Sequence, residues 1–324
     1  MQATAVKLTV ARQTAGRRLI SESMEPSTRA DLFDPAALAT LGHIEVVARW
    51  IVDGFLSGLH RSPRKGFSVE FAEYRPYQPG DDLRYVDWKI AARADRWVVK
   101  QYEEETNLRA TLVLDVSRSM EWKGDAARLT KRVYAEQLVA AMALLLIRQR
   151  DAVGLIRFDD AVRTSVPPRA RTTQWRRIVA ALAERAGGRA SDLASALGQA
   201  ARLVTRRGMV LLVSDLLVEP PPVLSALRGL RAAGHDVVVF HVMDPSERDF
   251  GMTGEAQFTD PESALAVPAA AEDVRAAYRD TVTEVVTEWR EALAAMGAAY
   301  ELVLTDQPYT VPLRRAFDVR QRRP

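Results

Sequence analysis

An α/β fold built on a doubly wound, largely parallel sheet is expected for this chain, on three observations. From Thr111 onward, short apolar runs of β type alternate with long stretches of helical periodicity. Nearly every apolar run ends beside an aspartate. The chain has 324 residues, 48% hydrophobic and 27% charged, enough for one large core plus a smaller module.

The elements follow in order. Residues 1–34 are polar, mixed in charge and without apolar periodicity, so they are expected to be loosely ordered. An Asp34–Pro35 start and apolar residues at Leu38, Leu41, Val46, Val47, Ile51, Phe55 and Leu59 predict a helix over Pro35–Leu59. Between Gly66 and Glu105, short aromatic and charged segments broken by Pro76, Pro79 and Gly80 predict a small β-rich insert. The helix and insert together form an expected module over 35–107, followed by a main domain over 108–310 and a basic tail over 311–324.

In the main domain, strand Thr111–Leu114 leads through a turn into a helix from Asp125 to about Arg150. Strand Val153–Phe158 follows, with a hairpin partner near Val162–Val166. Helices at Thr173–Arg185 and Asp192–Thr205 precede strand Met209–Val213. Helix Pro222–Ala233, strand Asp236–Val242, helix Ala271–Met296 and strand Tyr300–Leu304 complete the series. Strand–helix–strand connections are right-handed, which places helices on both faces of the sheet. Ligands of such sheets bind beyond the carboxyl ends of the strands, where the strand order reverses.

Composition removes several classes of function. Lys and Arg number 45 against 42 Asp and Glu, and the bases are scattered, which argues against nucleic acid. No cysteine occurs, so disulfides, thiolate metal sites and cysteine nucleophiles are excluded. The longest apolar run, Leu138–Ile147, is half the roughly 20 residues a membrane-spanning helix needs, and no signal peptide is visible. A cytoplasmic protein is the expectation. There is no phosphate-binding Gly-x-x-x-x-Gly-Lys-Ser/Thr loop and no Gly-x-Ser-x-Gly elbow, and His43, His60, His235 and His241 suggest no triad.

The predicted strands end near Asp115, Asp159, Asp215, Asp244 and Asp306. One such aspartate says little, because Asp also caps helices and starts turns. Asp115 stands apart because it continues as Asp115-Val116-Ser117-Arg118-Ser119, with a carboxylate and two hydroxyls at alternate positions of one turn. Three oxygens so placed suit a hard cation, Mg²⁺ foremost and Mn²⁺ or Ca²⁺ next. Hydroxyls leave a dication under-neutralised, so its open position would attract an acidic side chain from a partner.

Asp115-x-Ser117-x-Ser119 resembles the metal-ion-dependent adhesion site of von Willebrand factor A domains. Together with Glu73-Tyr74-Arg75-Pro76-Tyr77-Gln78-Pro79-Gly80-Asp81-Asp82-Leu83-Arg84-Tyr85-Val86-Asp87-Trp88 and Ala92-Arg93, it resembles the bacterial family called domain of unknown function 58, from about residue 40 to 318. The resemblance implies a von Willebrand factor A-like, Rossmann-type domain. It also implies two further ligands, best matched by Ser191 and Asp215. Here the pattern departs from the family's Gly-Gly-Thr, with Arg189-Ala190 inserted and Ser191 in place of Thr. Ser191 has a second reading, as the cap of the helix beginning near Asp192.

Relatives of this family are commonly encoded beside MoxR-type AAA+ ATPases. The implied function is a metal-dependent protein-binding adaptor, with such an ATPase or its client as partner, in maturation or remodelling of other proteins. Two alternatives stand beside it: a metal-dependent hydrolase or phosphotransferase using Asp115, and a scaffold whose metal site is vestigial. Arg75, Arg84 and Arg93 opposite Asp81, Asp82 and Asp87 read as a salt-bridge lattice, and Trp88 and Trp97 as core.

Overall fold

The computed structural model describes residues 9–10, 43–59, 74–78, 86, 88, 92–93, 97–100, 108–126, 128–184, 192–250, 255–259 and 266–321. Most of the expected N-terminal segment, residues 35–42 of the expected first helix, and Ser191 lie outside them, as do Asp81, Asp82, Arg84 and Asp87 of the proposed lattice.

In chain order the elements are β1 (Thr9–Val10), α1 (Ile44–Leu59), β2 (Tyr74–Pro76), β3 (Val98–Lys100), β4 (Arg109–Asp115), α2 (Lys131–Arg148), β5 (Ala152–Phe158) and β6 (Val162–Arg169). Then come α3 (Thr173–Leu182), α4 (Leu193–Leu203), β7 (Met209–Ser214), α5 (Pro220–Ala232), β8 (Asp236–Met243) and α6 (Pro245–Asp249). The last are β9 (Glu255–Thr259), β10 (Ala266–Ala270), α7 (Ala271–Ala295), β11 (Ala299–Leu304) and α8 (Thr310–Gln321).

The main sheet runs β11-β8-β7-β4-β5-β6, parallel throughout except for the antiparallel edge strand β6. Alternate residues of each strand face opposite layers. Leu112 and Leu114 of β4 join Leu138, Met142 and Trp175 of α2 and α3 in one core, and Val47, Ile51 and Leu313 of α1 and α8 join them there. Val113 points the other way, into a second core with Leu197, Leu227, Trp289 and Leu293 of α4, α5 and α7. Strands covered on both faces read as continuous apolar runs, which is why Met209–Val213 shows no alternation in the sequence. Burying each such Val or Leu contributes roughly 1.5–3 kcal/mol, so the sheet is a rigid platform for whatever its ends carry.

The doubly wound, largely parallel sheet is therefore as expected, and several details differ. Helix α2 begins at Lys131, not Asp125, because Thr130 caps it by accepting a hydrogen bond from the Val133 N–H, while the preceding loop packs elsewhere. Residues 310–321 form α8, anchored through buried Leu313, where a basic tail was expected. The β9–β10 hairpin, to which β1 adds a third strand, was not foreseen. Trp88 and Trp97 are not core residues: they are 55% and 49% exposed and meet edge to face, with ring centroids 5.7 Å apart.

Candidate functional site

The strand order reverses at β4. The chain passes from β4 outward to β5 and β6, then returns to β7 on the other flank of β4 before continuing to β8 and β11. The crevice at the carboxyl ends of β4 and β7 is thus the topological switch point. Asp115 ends β4, and Ser214 ends β7 with Asp215 next in the chain, so the topology brings two aspartates 100 residues apart in sequence to one crevice.

Asp115 is buried and both its oxygens are engaged. Oδ1 accepts from the Ser117 N–H at 2.9 Å, and Oδ2 accepts from the Ser214 hydroxyl at 2.7 Å. Burial, with the Asp215 charge adding to it, pushes the Asp115 carboxyl from 3.8 up to about 7, although the bonds from Ser117 and Ser214 oppose the rise. The Ser117 and Ser119 hydroxyl oxygens lie 3.1 Å apart, over the short 3₁₀ turn Arg118–Glu121. Adjacent oxygens on an octahedral Mg²⁺ stand about 2.9 Å apart, given bonds of roughly 2.0–2.1 Å. The hydroxyl pair therefore fits one edge of such a shell.

Asp215 takes the opposite charge state. Burial disfavours its ionised form, but the Lys131 ammonium and hydrogen bonds from Lys131, Ser119 and the Leu217 N–H outweigh it and hold the carboxyl below its usual range. Lys131, the first residue of α2, is 1% exposed and bonds Asp215 Oδ2 at 2.9 Å and Glu247 Oε1 of α6 at 2.6 Å. Burial alone would lower its pKa, and the two carboxylates raise it instead, so it stays charged. Lys131 and Glu247 were missed in the sequence. No local pattern marks a lysine at a helix start, or a glutamate 116 residues away, as neighbours of one carboxylate.

Asp215 and Glu247 share the Lys131 ammonium, and the Asp215 charge opposes ionisation of Asp115 beside it. Among the described residues no group of three or more His, Cys, Asp or Glu side chains is placed to hold a metal ion.

The remaining strand-end aspartates serve the frame. Asp244 caps α6 in a capping box with Glu247, accepts from Ser246, and pairs with Arg128 at 3.0 Å. Gly124 comes so close to Ser246 and Asp244 that a β-carbon there would collide with both, which ties the loop before α2 to the start of α6. Asp159 holds Arg163 and the Ala161 N–H, and Asp306 is exposed. Asp192 caps α4 through the Ser195 N–H, so the capping role considered for Ser191 belongs to its neighbour. The structure thus brings Asp115, Ser117, Ser119 and Asp215 together and adds Ser214, Lys131 and Glu247.

A family described as "Protein of unknown function DUF58" matches residues 73–288. Uncharacterized proteins of Mycobacterium bovis and Mycobacterium tuberculosis are 32% identical over 240 residues, covering 73% of this chain and 74% of theirs. Among solved structures, an aerotolerance-related membrane protein from Bacteroides fragilis is similar at TM-score 0.46 and 15% identity, covering 66% of this chain and 99% of that one. The conserved hypothetical protein BatB from Bacteroides thetaiotaomicron is similar at TM-score 0.43 with the same identity and coverage. Likeness at this level speaks to neither ligand nor function. Among the described residues no helix is long and apolar enough to cross a membrane.

Proposed function

The chain belongs to the DUF58 family, and from that premise we propose that it is a protein-binding adaptor whose switch-point crevice holds a divalent cation, Mg²⁺ foremost, and through it captures an acidic side chain of a partner. The observation that carries this reading is the convergence of the Ser117 and Ser119 hydroxyls, 3.1 Å apart, between the Asp115 and Asp215 carboxylates. We read the domain as von Willebrand factor A-like, with Asp115, Ser117, Ser119 and Asp215 as cation-holding residues and Ser191 as a fifth. The bound cation would supply a site of residual positive charge for an anionic oxygen.

The geometry favours binding over bond-breaking. An aspartate nucleophile usually works with an acidic or basic helper beside it, and the groups bonded to Asp115 are the Ser117 N–H and the Ser214 hydroxyl. The Lys131 ammonium is held between Asp215 and Glu247. Nucleotide chemistry would then belong to the partner, for which a MoxR-type AAA+ ATPase is our candidate, and remodelling of client proteins the process served.

Calorimetric titration of Mg²⁺ into wild type and Asp115→Ala tests the site. It should be followed by capture of the co-expressed ATPase with and without chelator. Saturable binding by wild type alone, with capture that chelator abolishes, is expected. Equal cation affinity in the two proteins sinks the site, and capture indifferent to chelator places the docking surface elsewhere.

A further inference from the structure

Ser214 is a buried hydroxyl that joins the two strands of the switch point. It ends β7 and is 1% exposed, with Asp215 next in the chain and Asp115 at the end of the neighbouring β4. Its O–H donates to Asp115 Oδ2 at 2.7 Å, and its oxygen accepts the Leu216 N–H at 3.1 Å. A backbone N–H only donates and an ionised carboxylate only accepts, so with Asp115 ionised the polarity of both bonds is fixed. The Ser117 N–H already holds Asp115 Oδ1 at 2.9 Å, and the Ser214 bond to the second oxygen sets the rotation of the carboxyl. An ionised carboxylate offers about four lone-pair sites, so these two bonds leave room for a cation.

The turn that Ser214 enters is strained. Leu216, 3% exposed and without a glycine's freedom, sits in the left-handed region at φ 49°, where a β-carbon crowds the following carbonyl oxygen. Strain of this kind persists only where surrounding contacts over-determine it. Three hydrogen bonds hold this turn: Leu216 N–H to Ser214 Oγ, Leu217 N–H to Asp215 Oδ1 at 3.4 Å, and Val218 N–H to the Leu216 carbonyl at 2.8 Å. The last two close within residues 215–218. The first continues through Ser214 Oγ to Asp115, so one hydroxyl ties the turn that carries Asp215 to the carboxyl of the other strand.

We propose that Ser214 is a positioning residue of the cation site, a bridge that sets the rotation of the Asp115 carboxyl, holds the left-handed Leu216 turn, and so sets the cation affinity of the crevice. The inference rests on the cation-site reading above. Outer-shell partners of this type change metal affinity by about 10–100-fold when removed.

The experiment titrates Mg²⁺ alone into wild type, Ser214→Ala and Ser214→Thr by calorimetry, with circular dichroism to confirm folding, and follows amide hydrogen exchange in chelator. We expect at least about a tenfold loss of affinity in Ser214→Ala and recovery in Ser214→Thr, which keeps the hydroxyl. In chelator the Leu216 amide should exchange about tenfold faster in Ser214→Ala while core amides such as that of Leu112 keep their rate, whereas a general loss of stability would speed both. Folded Ser214→Ala with wild-type affinity overturns the proposal. So does a Leu216 amide that exchanges at the wild-type rate in Ser214→Ala, or folded Ser214→Thr that binds no better than Ser214→Ala. Should Ser214→Ala fail to fold, Ser214→Cys, whose thiol is a weaker donor, takes its place with the same expectations. Wild type that binds no Mg²⁺ overturns the cation site and the affinity claim with it, whereas wild type that binds Mg²⁺ beside an equally tight Ser214→Ala overturns the role of Ser214 alone.

Discussion

Replacing Asp115 by asparagine should stabilise the cation-free protein at neutral pH while abolishing cation binding. In wild type, burial, reinforced by Asp215, raises the Asp115 carboxyl from 3.8 to about 7. Between those values the folded protein keeps a proton that the unfolded chain has released, so stability is lost as pH rises from about 4 to about 7. Three pH units at about 1.4 kcal/mol each bound the effect at about 4 kcal/mol. His241 pulls the other way. Burial lowers it from 6.5 to about 4, so its contribution is present at high pH and lost as pH falls through that interval. The two slopes oppose each other over nearly the same window, so the wild-type profile alone hides both, and the difference between wild type and variant isolates the carboxyl.

Asparagine preserves the shape, since its Oδ1 can still accept from Ser117 N–H and its amide can donate to a rotated Ser214 hydroxyl. Urea unfolding in chelator should show the advantage of Asp115→Asn growing from near zero at about pH 4 to a few kcal/mol at about pH 8. Saturating Mg²⁺ should then reverse the order by stabilising wild type alone. A variant less stable than wild type at neutral pH in chelator, or an advantage that does not change with pH, would refute the assignment of a buried, proton-holding Asp115.

The remaining predictions concern the same crevice. Ser117→Ala and Ser119→Ala should each weaken Mg²⁺ binding about tenfold, a loss of about 1.4 kcal/mol, with little change in cation-free melting; affinity within twofold of wild type removes that hydroxyl from the shell. Lys131→Met leaves Asp215 and Glu247 buried without their counter-charge and should cost about 3–5 kcal/mol in urea unfolding, whereas a cost under about 1 kcal/mol would mean that the ammonium does not compensate them. Gly124→Ala forces a β-carbon into Ser246 and Asp244 and should destabilise by about 1–3 kcal/mol, and an unchanged melting temperature would show that this loop is free to move away.

Much of this protein is legible locally. Leu112, Val113 and Leu114 announce a strand covered on both faces, and the alternation of such runs with helical stretches carries the doubly wound class. Asp115, Ser117 and Ser119 are also readable, because two residues of spacing on one turn is a local property. Trp88 and Trp97 mislead for the converse reason: aromatic character reports a tendency to be buried, and only the packing of the insert decides whether a partner surface exists for them.

Asp215 illustrates the division between the two levels. Among five aspartates at strand ends, nothing in its own neighbourhood distinguishes it from Asp159, Asp244 or Asp306. It becomes the partner of Asp115 because the chain, having gone out through β5 and β6, returns to the other flank of β4. The sequence by itself determined most strands and helices of the main sheet, the class of that sheet and the spacing of Asp115, Ser117 and Ser119, all of which depend on near neighbours, but not the β9–β10 hairpin or α8. Only the tertiary structure decided that Lys131, Glu247 and His241 lie close to Asp215, because the fold joins positions up to 116 residues apart, and local periodicity carries no record of which strand lies beside which.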